Sequence, residues 1–180
     1  YKTEDSVCGK VGQTNFIFSE VEVTHTVERN EDSTETVTDF QGFAFKADFH
    51  KNFNGHTLVS NRRNDLSNKV GFFSRSLKKC VMEDVNFEQT FKTYTNDDQE
   101  ARYILTPSLQ LRILDLQETL KGRVSLAFYH NEMLLMVDDR VDHFEVKYNF
   151  DNVLYDINAL TKLIDIVEIM NLNLRIWSKE

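Results

Sequence analysis

The sequence predicts an α+β protein with a mainly antiparallel sheet on which two longer helices pack. Long stretches with alternating polar and apolar residues come first, and two amphipathic stretches with helical spacing come later. Strands that are grouped together and kept apart from the helices are typical of this class. The length of 180 residues, 41% of them hydrophobic, predicts one soluble domain over residues 1–180.

The N-terminal part of the chain predicts a long antiparallel hairpin. Residues 16–28 alternate with a period of two, residues 30–34 form a polar turn, and a second alternating strand follows. The apolar phase of the first strand contains Ile17, Val21, Val23 and Val27. The apolar phase of the second strand contains Val37, Phe43, Phe45, Ala47 and Phe49. His25 falls in the apolar phase of its strand, so we interpret it as a core histidine.

The remaining elements are shorter strands and two helices. We expect strands at residues 57–60, 70–73 and 79–85, and a helical turn or two over residues 86–94 that runs into an extended exit. Thr106 and Pro107 predict a helix start, because Thr caps free N–H groups and Pro loses no hydrogen bond at the first helical position. Gly122 is placed to end this helix.

Two further elements complete the predicted fold. Residues 124–130 and 133–137 predict a second hairpin, and residues 156–170 predict a second helix with a wide apolar stripe that belongs against a sheet. The residues of that stripe are Ile157, Leu160, Leu163, Ile164, Val167 and Met170.

The charge is distributed unevenly along the chain. The net charge of −8 disfavours nucleic-acid binding, which needs a basic surface. Residues 46–79 nevertheless carry a net charge of +6, so the remainder carries −14. Cations interleaved with aromatic residues suit an anionic membrane surface or an acidic protein; the alternative, which is the simpler, is that they neutralise acidic groups within the fold. The candidate contact residues are Arg62, Arg63, Lys69, Arg75, Lys78 and Lys79.

Catalytic motifs are missing from the sequence. It contains no phosphate-binding or dinucleotide-binding glycine pattern and no zinc-protease or serine-hydrolase motif. One cluster, residues 138–145, could hold a divalent metal if it formed a strand. The metal-binding side chains of this hypothesis are Asp139, Asp142, His143 and Glu145. A charged loop is the interpretation that we favour, so we assign no catalytic, cofactor-binding or metal-binding residue.

A second acidic pair also has a structural interpretation. Asp97 and Asp98 would form a turn and a helix N-terminus, where carboxylates complement the helix dipole, and Arg102 would pair with a nearby carboxylate. Cys8 and Cys80 do not form a disulfide scaffold or a metal-binding pair. No run of about 18 apolar residues is present in the sequence.

Five segments of the chain resemble a known family. They are residues 4–12 (EDSVCGKVG), 40–49 (FQGFAFKADF), 86–94 (NFEQTFKTY), 101–107 (ARYILTP) and 172–177 (LNLRIW). Together they are similar to an uncharacterised bacterial family, domain of unknown function 3137, sometimes labelled galanin-like, over nearly the whole chain. The resemblance implies an inner-membrane protein with one or two hydrophobic segments ahead of a soluble domain, and it implies no catalytic residues.

These observations lead to two functional hypotheses and one variant. The chain begins at Tyr1 rather than Met, and the resemblance implies that it is the part that follows a membrane anchor. We expect a non-enzymatic binding or scaffold domain at the cytoplasmic face of a bacterial membrane, without a cofactor. The alternative is a metal-dependent hydrolase that uses residues 138–145. A protein-interaction module with no role at lipids cannot be separated from the first hypothesis by sequence, and the sequence does not indicate the oligomeric state.

Overall fold

The computed structural model contains one antiparallel sheet of eight strands. It describes residues 2–30, 33–48, 52–64, 76–140 and 150–177. The strands are β1 (Lys2–Val11), β2 (Thr14–Asn30), β3 (Ser33–Asp48), β4 (Thr57–Asn61), β5 (Lys78–Cys80), β6 (Phe91–Thr95), β7 (Arg123–Tyr129) and β8 (Glu132–Asp138). The helices are α1 (Val85–Thr90), α2 (Asp98–Ile104), α3 (Pro107–Thr119) and α4 (Phe150–Trp177). Across the sheet the order is β1-β2-β3-β8-β7-β4-β6-β5. The predicted mainly antiparallel α+β fold is confirmed.

The predicted N-terminal hairpin is present, and it is longer than the sheet around it. β2 and β3 pair from Asn15 opposite Asp48 out to Asn30 opposite Ser33. β1 follows β2 only as far as Glu22, and β8 follows β3 only as far as Gly42. Residues 23–30 and 33–41 therefore extend beyond both neighbours as a two-stranded ribbon, which begins at a register shift next to Val23.

The buried face of β2 is the opposite of the predicted one. Phe16 and Phe18 are buried, whereas Ile17 is 46% exposed and Val27 is 39% exposed. The large aromatic rings fill the space under the helices, so the β-branched residues between them take the other face of the sheet. The interpretation of His25 as a core residue is wrong as well. Its side chain lies on the exposed ribbon, with Nδ1 2.6 Å from Asp39 Oδ2.

The second strand of the hairpin follows the predicted phase near the core but not in the ribbon. Phe43, Phe45 and Ala47 are fully buried, as the alternation predicted. Val37 is 37% exposed, because the ribbon has no helix or second sheet under it in the part of the chain that the structure describes. Phe49 lies outside the described residues.

α3 is the first of the two helices that the sequence predicted, and it begins where its sequence signals placed it. The Thr106 hydroxyl accepts a hydrogen bond from the backbone N–H of Leu109 at 3.3 Å, and Pro107 is the first helical residue. The helix ends at Thr119, three residues before Gly122. Its buried apolar residues are Leu109, Ile113 and Leu116.

α4, the second predicted helix, is longer than predicted, and its buried face is rotated about the helix axis relative to the predicted stripe. α4 covers Phe150–Trp177 instead of residues 156–170. Ile157 is 54% exposed, although the stripe placed it inside, while Asp156 is 7% exposed. The fully or almost fully buried residues of α4 are Ala159, Leu163, Ile166, Val167 and Met170.

Polar contacts fix α3 against the sheet. Gln117 accepts hydrogen bonds from Asn61 Nδ2 at 2.7 Å and from the backbone N–H of Val124 at 3.0 Å. Its own amide donates to the carbonyl of Gly122 at 2.8 Å. One side chain thus joins α3 to β4 and β7.

A second set of contacts fixes α4 near the other edge of the sheet. The Thr14 hydroxyl donates to Asn171 Oδ1 at 2.7 Å, and Asn171 Nδ2 donates to the carbonyl of Val11 at 3.2 Å. A single cluster of buried residues joins both helices to one face of the sheet. We call the opposite face the outer face.

The remaining sequence predictions fall partly on described residues. The strand predicted at residues 57–60 is β4, and the helical turns with an extended exit are α1 and β6. The strand predicted at residues 79–85 is shorter, because β5 ends at Cys80 and α1 starts at Val85. The strand predicted at residues 70–73 lies outside the described residues. Within the described part of the chain, no helix combines the length and the hydropathy that crossing a bilayer would need.

Candidate functional site

Four of the six predicted contact residues are described, and they lie in two separate pairs. Arg62 and Arg63 follow β4, whereas Lys78 and Lys79 belong to β5, and all four are exposed. Lys78 and Thr57 both pair with Thr95 of β6, so they lie at the same position along the strands, one on each side of β6. Arg62 therefore lies five residues further along the strands, roughly 16 Å, and two strand spacings, roughly 10 Å, to the side. Lys69 and Arg75 lie outside the described residues.

The two pairs differ in how far neighbouring carboxylates neutralise them. Arg62 Nη2 lies 3.5 Å from Glu88 Oε2, and its Nε donates a hydrogen bond to the Glu88 carbonyl. Among the described residues, no carboxylate forms an ion pair with Arg63, Lys78 or Lys79. Among the four described candidates, Arg63, Lys78 and Lys79 are therefore the ones whose charge no described carboxylate offsets.

Exposed apolar side chains lie beside these cations. Val81, which directly follows β5, is 54% exposed, and Val85 at the start of α1 is 68% exposed. Both line a shallow depression together with Arg62, Glu83 and Glu88. We call the surface formed by Lys78, Lys79, Val81 and Val85 the β5 edge.

The described part of the acidic cluster at residues 138–145 connects strands. The buried carboxylate of Asp138 lies 2.5 Å from Arg123 Nη2 and 3.1 Å from Arg140 Nε. Arg140 has a left-handed backbone with φ of 59°, its backbone N–H donates to the Gln41 carbonyl at 3.0 Å, and its Nη1 donates to the Thr38 carbonyl at 3.0 Å. Asp138 and Arg140 thus hold the start of β7, the end of β8 and the middle of β3 together.

Asp139 is the one described member of the proposed metal-binding set. Its carboxylate accepts a hydrogen bond from the Tyr155 hydroxyl at 3.1 Å. Burial raises the pKa of Tyr155 well above its usual range, and the charge of Asp139 raises it further. Asp142, His143 and Glu145 lie outside the described residues. Within the described ranges, no three His, Cys, Asp or Glu side chains come together in a way that could hold a metal ion, so the hydrolase hypothesis stays a prediction.

The acidic pair at residues 97–98 has the structural role that its position predicted. Asp97 caps α2, and its Oδ1 accepts a hydrogen bond from the backbone N–H of Glu100 at 3.0 Å. The Glu100 carboxylate in turn accepts hydrogen bonds from the backbone N–H groups of Asn54 and Gly55 at 2.8 and 2.6 Å. These carboxylates therefore organise the loop before β4.

Two other structural interpretations agree with the structure. Arg102 Nη1 lies 3.8 Å from Glu83 Oε1, and Arg102 Nη2 donates to the carbonyl of Val81. Cys8 is exposed, Cys80 is buried, and both are free thiols.

An apolar pocket of about 270 Å³ lies on the outer face of the sheet. Leu58, Ala127 and Leu134 are direct partners across β4, β7 and β8, so their side chains form one row. Because alanine is the middle member of the row, the two leucines stand above it and leave a depression. The other lining residues are His56, Thr57, Leu77, Phe128, Tyr129 and Glu132.

The rim of this pocket is polar but carries little net charge. Tyr129 is opposite Glu132 in the ladder, and the His56 ring lies 4.2 Å from the Tyr129 ring. Burial lowers the pKa of His56, and the nearby His130 lowers it further, so the imidazole is neutral at pH 7. Glu132 Oε1 lies 2.6 Å from Lys46 Nζ, which offsets its charge.

Sequence reasoning missed this pocket. The sequence predicted β7 and β8 as a hairpin, and the two strands do pair, with Val124, Leu126 and Leu135 buried. It did not place Leu58 beside Ala127, because β4 and β7 are separated by more than 60 residues in the chain. No local pattern in the sequence carries that pairing.

The fold and these surfaces define an α+β protein with a mainly antiparallel sheet. Residues 38–172 match the family described as proteins of unknown function, DUF3137, so the chain belongs to that family. The resemblance that the sequence segments indicated is therefore confirmed. No curated protein matches the sequence. A crystal structure of the mycobacterial trehalose monomycolate transport factor A, TtfA, aligns with a TM-score of 0.46 at 8% identity, over 92% of this chain and 72% of that chain.

Proposed function

We propose that the chain is a non-enzymatic binding or scaffold domain that works at the cytoplasmic face of a bacterial membrane. In this proposal the two longer helices support one face of the sheet, and the β5 edge makes the contact. The observation that carries the proposal is the combination at this edge of exposed cations with two valines that are more than half exposed.

An anionic lipid surface is the partner that this chemistry fits best. Each basic group near such a surface contributes about 1 kcal/mol, and small apolar side chains can enter the headgroup region beside it. The net charge of −8 opposes binding unless the cations face the membrane, so the orientation would be set by the β5 edge. An acidic protein surface is the other partner of the same charge type.

Vesicle co-sedimentation tests this proposal directly. We expect the protein to sediment with vesicles that contain anionic lipid, to bind neutral phosphatidylcholine vesicles weakly, and to lose binding as salt rises, because screening acts within about 10 Å at 0.1 M. Lys78→Glu combined with Lys79→Glu should weaken binding at least about 30-fold, since two contributions of about 1 kcal/mol are lost.

The matched control is Lys10→Glu combined with Arg112→Glu. These residues are also exposed, they change the net charge by the same amount, and they belong to β1 and α3, away from β5. Equal loss in both double variants would show that only the net charge matters. Binding that is absent, or that is unchanged between low and high salt, would refute the membrane proposal and leave an acidic protein to be tested.

A further inference from the structure

We propose that the pocket at Ala127 binds a single medium-length alkyl chain that ends in an uncharged polar group. The pocket borders the β5 edge, because Leu77 lines it and directly precedes Lys78, but the inference depends on a different kind of contact and does not use the cations of that edge. It rests on the shape of the pocket, on its apolar floor and on the chemistry of its rim.

The size of the pocket limits what can enter it. A cavity of about 150 Å³ lined by aliphatic and aromatic residues is enough to bind benzene, and typical ligand pockets begin at about 300 Å³. A volume of about 270 Å³ lies between these values, so a small ligand fits and a bulky one does not. The row from Leu58 to Leu134 spans two strand spacings, roughly 10 Å. The depression is therefore elongated across the strands, which favours a chain over a compact ring system.

The apolar floor indicates where the alkyl chain of the ligand would lie, and the polar rim indicates where its uncharged polar group would lie. Leu58, Leu77 and Leu134 surround Ala127, and burying an alkyl chain against them removes apolar surface from water. His56, Tyr129 and Glu132 line the same pocket and are next to one another. A hydroxyl or amide group at the end of the chain can make hydrogen bonds in that rim. A carboxylate would lose water there, and Lys46 beside the rim is already paired with Glu132.

Titration with 1-octanol tests the proposal. The probe signals are the methyl groups of Leu58, Ala127 and Leu134 in protein labelled with ¹³C at its methyl groups. We expect saturable shifts of these three signals and no comparable shift of methyl groups in the core under α3. Octanoate should bind about tenfold more weakly than octanol at pH 7, since its charge must lose water at the rim.

A variant that fills the depression is the decisive test. Ala127→Leu should weaken octanol binding at least about tenfold, because the added side chain occupies the middle of the row. Ala44→Leu is the control, because it is the same change at a partly exposed alanine of the outer face that does not line the pocket. It should leave binding unchanged within about twofold, as the pocket is untouched.

A second variant covers the case in which Ala127→Leu does not fold. Leu134→Ser removes one wall of the pocket at a side chain that is 38% exposed, so the fold should tolerate it while octanol binding falls. Octanol shifts that are absent, or that persist unchanged in the filled or opened pocket, would overturn the proposal. Lys78→Glu combined with Lys79→Glu should not change octanol binding, and Ala127→Leu should not change vesicle binding, so the two proposals fail separately.

Discussion

Replacing Gly42 by alanine is the sharpest stability test that the structure offers. Gly42 lies in β3 opposite Asp138, at the last pair that β3 makes with β8, and its φ is 153°. A Cβ at this position would lie 2.0 Å from the carbonyl oxygen of Val137, where ordinary contacts begin near 3.4 Å. β3 and β8 would have to move apart by more than 1 Å to accept it.

The expected cost combines two contributions. A non-glycine residue held at such a backbone conformation costs about 1–3 kcal/mol. Separation of the strands weakens about two ladder hydrogen bonds at about 1 kcal/mol each. The sum is about 3–5 kcal/mol, a large part of the stability of a typical domain.

Urea unfolding followed by far-UV circular dichroism measures this cost. With a slope of about 2 kcal/mol per molar urea, the midpoint should fall by about 2 M in Gly42→Ala. Gly12→Ala is the control, because Gly12 has a left-handed φ of 61° but open space around it, with the nearest atom, Asn171 Nδ2, 3.7 Å away. It should lose only about 1–2 kcal/mol. If the two variants lost the same stability, the steric argument at Val137 would be refuted.

Three further predictions follow from other contacts. Asp97→Ala should cost about 1 kcal/mol, because α2 loses the cap on the Glu100 N–H; an unchanged urea midpoint would contradict this. Leu116→Ala should cost about 2–5 kcal/mol at a fully buried site, whereas Leu111→Ala, at a 59% exposed site on the same helix, should stay within about 0.5 kcal/mol; equal losses in urea would count against the described core. The raised pKa of Tyr155 contributes stability that is complete below the unfolded value of about 10 and is lost as pH rises above it. Stability measured between pH 9.5 and 11 should therefore fall less steeply in Tyr155→Phe, and parallel slopes would show that this hydroxyl does not titrate differently on folding.

Local patterns predicted much of the architecture. The cap at Thr106, the long hairpin and the second hairpin all depend on residues close together in sequence, and the structure confirms them. The apolar phase of β3 near the core was also correct, because Phe43, Phe45 and Ala47 alternate there without interruption.

The errors have one physical origin. The sequence shows the apolar periodicity of a strand or helix, but it does not show which of its faces another element will cover. β2 carries valines in one phase and Phe16 and Phe18 in the other, and the rings were buried because the helices lie on their side. Ile157 was predicted on the buried face of α4 for the same reason, because the wide apolar stripe did not show which of two adjacent faces of the helix would be covered. The row of Leu58, Ala127 and Leu134 depends on pairing between distant segments, so no periodicity reports it.

The ribbon of β2 and β3 has a consequence for how this family can vary. Its cross-strand pairs beyond Glu22 and Gly42 have no ladder partner in β1 or β8 among the described residues. Beyond the Arg140 contacts with Gln41 and Thr38, the reach of the hairpin is therefore uncoupled from the packing under α3 and α4. One residue could be removed from each strand of the ribbon, or added to each, while Phe18 and Phe43 kept their places. We therefore expect homologues to differ in the length of this hairpin by matched steps in both strands, and amide hydrogens near Thr26 and Thr36 to exchange through local opening, long before those of Phe45.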